Sequence, residues 1–260
     1  MDNPPQSYRR LHQTSHRIFQ YTCASSGIIC ILLYFMAMVA ADFIPPMPPS
    51  WDAEQTVSHY RNHEKGIQAG AALMIIAGMF YLPFTVTISA QMRRIPNHNL
   101  NYTVSSLQLA SGAAVIFTLV MPGIFLATAN YRLDRPVEIT QALNDLFWFM
   151  IPLPWPIVMA QNLAFAYAIM TDSRPKPLFP KAIGFLNIIV PVVYIPSIAV
   201  HCFKTGPLAW NGGVSFWLIN IAAGVQMIVD SICLMLVVSS APAEDVGNEI
   251  DAVPSEECGK

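Results

Sequence analysis

Five long stretches of the chain carry no Asp, Glu, Lys or Arg: those bounded by Arg17 and Asp42, Lys65 and Arg93, Arg94 and Arg132, Asp145 and Asp172, and Lys181 and Lys204. Each reaches the roughly 20 apolar residues that a helix needs to cross the hydrocarbon core of a bilayer. A sixth apolar stretch, Phe216 to Val238, holds one charge, Asp230, and a carboxylate at that depth costs at least about 2.5 kcal/mol on insertion scales. Backbone polar groups in lipid must be satisfied within the segment, which favours helices. The pattern therefore predicts an all-α polytopic transmembrane bundle of about six crossings. It divides the chain into an N-terminal segment 1–18, a helical domain 19–239 and an acidic tail 240–260.

Composition adds what the chain excludes. Of its 260 residues 54% are hydrophobic and 12% charged, against about 25% charged in soluble domains, so lipid bilayer is the expected surrounding. The net charge is -2 and the 14 Lys and Arg residues sit near helix ends; without a basic patch, nucleic acid is not an expected partner. Cys23, Cys30, Cys202 and Cys233 lie in or beside apolar stretches and Cys258 in the tail, which reads as small buried hydrophobes rather than a disulfide framework. The opening MDNPPQSYRRLHQTSHR is polar and the first apolar run exceeds a signal core, so Gln20 to Ala41 is expected to remain as an anchor.

Charge bias assigns sidedness. With the amino terminus cytoplasmic, inner segments contain Arg9, Arg10, Arg17, Arg93, Arg94, Arg174, Lys176, Lys181 and Lys260, and outer segments contain Arg61, Lys65, Arg132, Arg135 and Lys204. Nine against five favours both termini inside. The tail, with Glu244, Asp245, Glu249, Asp251, Glu256 and Glu257, reads as disordered and cytoplasmic. Asn101, Tyr102 and Thr103 form a glycosylation sequon that this topology keeps on the cytoplasmic side and unmodified.

The first outer loop opens on Pro45, Pro46, Pro48 and Pro49, an extended start. Ser50 reads as an N-cap for a short interfacial helix ending near Gly66, with Trp51 and Tyr60 as headgroup anchors. Gly66 and Gly70, and the run Ala110 to Ala114, offer small surfaces for close packing within the molecule. Pro152, Pro154 and Pro156 fall mid-membrane in the fourth crossing and predict a break in that helix. Such breaks are tolerated where they face protein or water, and they often mark binding sites. Pro83, Pro122, Pro191 and Pro196 suggest further bends around a common interior.

Polar groups in this setting need partners. Asp42, His59, His63, Glu64, Asp145 and His201 gather toward the outer ends of the crossings and form one expected mouth, with Asn144 and Trp148 beside Asp145. His59 and His63 share a helix face at metal-compatible spacing, but no third ligand is specified and no metal is expected. Asp230 lies deeper, with Gln226 one turn before it and Gln161 or Asn162 as expected partners; an intramembrane carboxyl is a functional-site hypothesis by default. The candidate acid or base groups are thus Asp145, Asp230 and His201. The candidate binding residues are Asp42, Glu64, Asn144, Trp148, Gln161, Asn162 and Gln226. The chain has no Walker loop, GxGxxG, GxSxG, haem or iron-sulfur pattern and no internal repeat, so no cofactor is expected.

At FIPP (from Phe43), SAQMRRI (from Ser89), LNDL (from Leu143) and FKTGPLAWNG (from Phe203), the chain resembles a group of small multi-pass proteins of actinobacteria and filamentous fungi. In architecture it is also similar to the integral membrane terpene cyclases of fungal meroterpenoid pathways, which implies a lipophilic substrate and protonation by acidic residues. Two readings stand open. In one, the protein binds or handles a lipophilic small molecule, as a component of a secondary-metabolite pathway with membrane-associated enzymes as partners. In the other, it is a cofactor-free cyclase or isomerase using Asp145 or Asp230. A fungal source would place it in the endoplasmic reticulum.

Overall fold

Six apolar helical spans occupy the stretches that the charge pattern marks: Ser15–Ala40, Glu64–Arg93, Tyr102–Tyr131, Val137–Thr171, Lys181–Cys202 and Gly213–Ser239. The structure, a computed structural model, describes residues 6–96 and 101–240, and among these there is no strand. The protein is a multi-pass helical membrane protein. The tail expected to be disordered lies outside the described residues from 241 onward.

The first crossing is α1 (Gln6–Ala40), which begins within the polar N-terminal segment. A short α2 (Ala53–Asn62) leads into α3 (Glu64–Arg93). The third crossing is α4 (Asn101–Val115) and α5 (Phe117–Tyr131), meeting at Ile116. The fourth is α6 (Val137–Met150) and α7 (Trp155–Thr171), separated at residues 151–154, where Pro152 and Pro154 each lack an amide donor. The fifth is α8 (Lys181–Tyr194), which tightens into a 3₁₀ turn over Ile195–Cys202 beside Pro196. The sixth opens with a π-helical turn, Gly213–Leu218, and continues as α9 (Ile219–Ser239).

Each crossing packs against its neighbours in sequence, and α9 returns to α1. The result is a closed ring of six. An even number of crossings brings both ends of the bundle to one face, where the Arg17 guanidinium donates to the Val238 and Ser239 carbonyls at 3.4 and 2.5 Å. The outer surface of the ring is apolar, and its few intramembrane amide and carboxyl groups are turned inward among a largely apolar core. Ile221, Val225, Ile228, Ile232 and Leu236 form a helical stripe on the exposed face of α9, and Ile75, Met79, Leu82 and Val86 form one on α3. Asn220, Gln226 and Asp230 on α9 are instead buried, as are Gln161 and Asn162 on α7 and Asn187 on α8. This is the arrangement that a lipid surrounding selects.

Close approach of α1 and α3 depends on two glycines. A Cβ at Gly66 would strike the Ala40 carbonyl, and one at Gly70 would lie 2.7 Å from the Ala37 carbonyl. These small residues therefore serve contacts within the molecule.

The connection between α1 and α3 differs from the sequence expectation. Asp52, not Ser50, caps α2: its carboxylate accepts from the Gln55 amide at 2.8 Å while the Gln55 side chain accepts from the Asp52 amide at 3.0 Å. This reciprocal pair satisfies two donors at once, which Ser50 is too early to do. The chain turns at His63, so Gly66 is already inside α3 and does not end α2. Tyr60 is fully buried rather than anchored at the headgroups; its hydroxyl donates to Asn144 Oδ1 at 3.2 Å.

α2 is tucked beneath the loop because Tyr60 joins an aromatic plug at the end of the ring away from the termini. Phe43 lies 5.1 Å from Trp148 and 5.2 Å from Phe147 between ring centroids, and Trp148 stacks on Trp210 at 6.1 Å and 7°. Trp210 Nε1 donates to the Met47 carbonyl at 2.8 Å, and Trp148 Nε1 to Asn144 Oδ1 at 3.2 Å. Aromatic contacts of this kind add about 0.5–1.5 kcal/mol each beyond the area they bury. Segments FIPP, LNDL and FKTGPLAWNG, far apart in sequence, meet in this plug through Phe43, Asn144 and Trp210.

Candidate functional site

Beneath the plug the ring encloses a cavity that is in part continuous with the exterior. Its wall comes from α1, α3, both halves of the third crossing, the break and second half of the fourth, α8 and α9. Most of the lining is apolar, including Ile31, Phe84, Leu119, Val158, Phe165 and Ile219. The break in the fourth crossing opens onto this space, because Ile151, Pro152 and Trp155 line it. An interrupted membrane helix at a cavity wall matches the condition under which such interruptions persist.

Polar groups converge at the end of the cavity nearer the termini. Asn187 Nδ2 donates to Asp230 Oδ1 at 3.0 Å and to Oδ2 at 3.2 Å, and also lies 3.0 Å from the Ile183 carbonyl. Gln226 Nε2 donates to Asn187 Oδ1 at 2.7 Å, and Asn162 Nδ2 donates to Gln226 Oε1 at 3.2 Å. The chain Asn162, Gln226, Asn187, Asp230 thus joins α7, α9 and α8. A carboxyl group has about four lone-pair positions, and the Asn187 amide, with the Gln226 amide also contributing, supplies the protein donors to Asp230 among the described residues. It keeps capacity for a further partner in the cavity.

This corrects the expected partnership of Asp230. Its direct partner is Asn187; Asn162 reaches it only through Gln226, and Gln161 belongs to a second network. There Tyr81 donates to Gln161 Oε1 at 2.6 Å, while Gln161 Nε2 and Gln108 Nε2 donate to Thr85 Oγ1 at 3.3 and 3.0 Å. A third pair, Tyr34 to Asn220 Oδ1 at 2.6 Å, lies on the opposite wall. Two buried atoms at the cavity make no hydrogen bond within the protein: Gln108 Oε1, an acceptor, and Trp155 Nε1, a donor. Buried polar atoms are normally satisfied, so the cavity offers a donor, an acceptor and a partly used carboxyl to whatever enters it.

The other sequence candidates do not share this site. Asn144 and Trp148 belong to the plug. Asp145 is half-buried near Lys204 and does not line the cavity. His201 is exposed, with Nε2 3.3 Å from Cys202 Sγ, and Glu64 is exposed and accepts from Gln68 at 3.3 Å. The structure does not gather these groups at one site. Only Asp42 joins His59 and His63, the three offering donor atoms within 4.8 Å of one another. Burial lowers the His59 imidazole below its ordinary pKa, against a raising contribution from its contact with the Ala41 carbonyl.

On the termini face Asp172 organises the turn from α7 to α8. Its carboxylate takes Arg174 Nε and Nη2 at 2.9 and 2.7 Å and the amides of Arg174 and Leu178 at 3.2 and 2.8 Å. The Arg174 guanidinium holds that carboxyl down at about 2, as charge-assisted donors do. Lys181 Nζ covers the last carbonyls of α7, those of Ile169 and Met170, at 2.6 and 3.0 Å.

Asn187, Gln108, Tyr81, Tyr34, Asn220 and Trp155 escaped the sequence reading. The signal that could have found Asn187 and Gln108 is the presence of a lone primary amide inside a charge-free run, which needs a partner in lipid just as a carboxyl does. Comparison with protein-family models, with curated proteins and with solved structures finds no match to this chain.

Proposed function

We propose that the protein binds a lipophilic small molecule bearing a hydroxyl or carbonyl head in the intramembrane cavity. The observation that carries this reading is one apolar space lined by Trp155, Gln108 and Asp230, where Trp155 Nε1 and Gln108 Oε1 are buried without a protein partner. Apolar walls with a few convergent polar groups are the usual make-up of small-molecule sites. The broken fourth crossing supports entry from the bilayer, since the interruption at residues 151–154 lies in the cavity wall. On this reading both termini are cytoplasmic and the polar end of the cavity lies nearer the cytoplasmic face.

The test compares long-chain alcohols with alkanes of equal length, added to purified protein in micelles and followed by Trp155 fluorescence. A saturable response is expected for the alcohol, about 3- to 10-fold tighter than for the alkane, the worth of one hydrogen bond. Ala223→Trp, which fills the cavity, should remove it. A folded wild-type protein with no saturable response would refute the reading.

A second reading, cofactor-free cyclisation or isomerisation within secondary metabolism, is supported by Asp230 alone. It is the carboxyl at the cavity, whereas Asp145 and His201 lie outside it. In that case Asp230→Asn retains binding and abolishes turnover. Product formed at the wild-type rate by Asp230→Asn would eliminate acid catalysis.

A further inference from the structure

Asp42, His59 and His63 lie on the face away from the termini, independent of the cavity. We propose that they form a site for a divalent transition-metal ion of the zinc class, clamping the end of α1 to α2. His59 lies in the last turn of α2 and His63, four residues on, caps the C-terminus of that helix, and their ring centroids are 4.4 Å apart. His63 Nδ1 donates to the His59 carbonyl at 3.1 Å, which presents Nε2 as a lone pair 3.3 Å from Asp42 Oδ2. His59 Nε2 donates to the Ala41 carbonyl at 3.3 Å, which leaves the lone pair on Nδ1. Anchoring one imidazole nitrogen on a backbone carbonyl is the outer-shell arrangement found around ligating histidines.

The spacing suits the ion. Tetrahedral bonds of about 2.0–2.1 Å place neighbouring ligand atoms about 3.3 Å apart, which is the separation of His63 Nε2 and Asp42 Oδ2. All three ligand atoms lie within 4.8 Å of one another, and the side chains of Asp42 and His63, 59% and 40% exposed, have room to turn toward an ion. Asp42 has φ of 56°, a left-handed conformation that an aspartate rarely adopts; it turns the chain at the end of α1 and brings the carboxylate to α2. Two nitrogens and one oxygen favour zinc, cobalt or copper over calcium and magnesium, which take oxygen cages. Three protein ligands leave the fourth position to water.

The experiment uses untagged full-length protein in detergent, stripped with a chelator, and titrated with ZnCl2 against a chromophoric competitor; CoCl2 supplies visible absorption that reports geometry. One zinc per chain, tetrahedral cobalt bands and a zinc-dependent rise in melting temperature are expected. His63→Gln and Asp42→Asn, both at accessible positions, should weaken zinc at least about tenfold with unchanged helical circular dichroism, and calcium should not compete. Absence of saturable zinc binding by folded wild type, or equal binding by both variants, would overturn the site.

Discussion

Asn187 is both the donor to Asp230 and the acceptor from Gln226, so replacing it with leucine strands two buried polar groups. A buried group left without its partner costs about 1–3 kcal/mol, more if charged, which gives about 2–6 kcal/mol for Asn187→Leu. Asp230→Leu removes less, because Asn187 retains the Ile183 carbonyl as an acceptor; about 1–2 kcal/mol is expected. In the double variant the stranded carboxyl is gone, so adding Asp230→Leu to Asn187→Leu should restore stability. Side-chain hydrogen bonds between membrane helices couple by about 0.6 kcal/mol on average and about 1.7 at most. The central place of Asn187 puts the expected coupling at about 1–2 kcal/mol. Reversible unfolding in mixed micelles, followed by circular dichroism for wild type, both single variants and the double, measures it directly. Losses that add to within about 0.3 kcal/mol, or a double variant less stable than Asn187→Leu, would refute the network.

The Asp172 carboxyl, held at about 2 in the folded protein against an ordinary 3.8, contributes stability that is complete above pH 3.8 and lost as pH falls toward 2; Asp172→Asn should remove that part of the acid melting profile. Trp210→Ala should destabilise the plug by about 3–5 kcal/mol in the same unfolding assay, the range for a buried aromatic, and a loss below about 1 kcal/mol would count against the plug as a unit. Gly66→Ala, whose new methyl meets the Ala40 carbonyl, should cost about 1–3 kcal/mol as overpacking does. In a Cys258→Ser background, a membrane-impermeant maleimide should label exposed Cys202 from the non-cytoplasmic side; labelling only after permeabilisation would reverse the proposed sidedness.

What could be read from the chain followed from strong energetic constraints. Charges are so costly in lipid that their absence marks the crossings, and Pro152 with Pro154 cannot sustain a regular helix, so the break in the fourth was visible as well. The fold of α2 was not. Its sequence carries charges at both ends, which suggested a helix lying at the interface, whereas its place is decided by the burial of Tyr60 against Phe43 and its hydrogen bond to Asn144. Asp230 stood out because it is charged; Asn187, its actual partner, is an uncharged amide and left no comparable mark. The approach of Asp42 to His59 and His63 depends on one left-handed residue, a backbone property that the pattern of side chains does not encode.

The central claim is that the interior of the six-membered ring, and not its lipid-facing surface, receives the lipophilic molecule. Photolabelling with a diazirine-bearing long-chain alcohol, followed by peptide mapping, separates the two on a single helix. Asn220, Ala223 and Met227 of α9 line the cavity, whereas Ile221, Val225 and Ile232 of the same helix face outward. Labelling centred on the first set, and suppressed by excess unlabelled alcohol, is predicted. Unsaturable labelling confined to the second set would contradict the account.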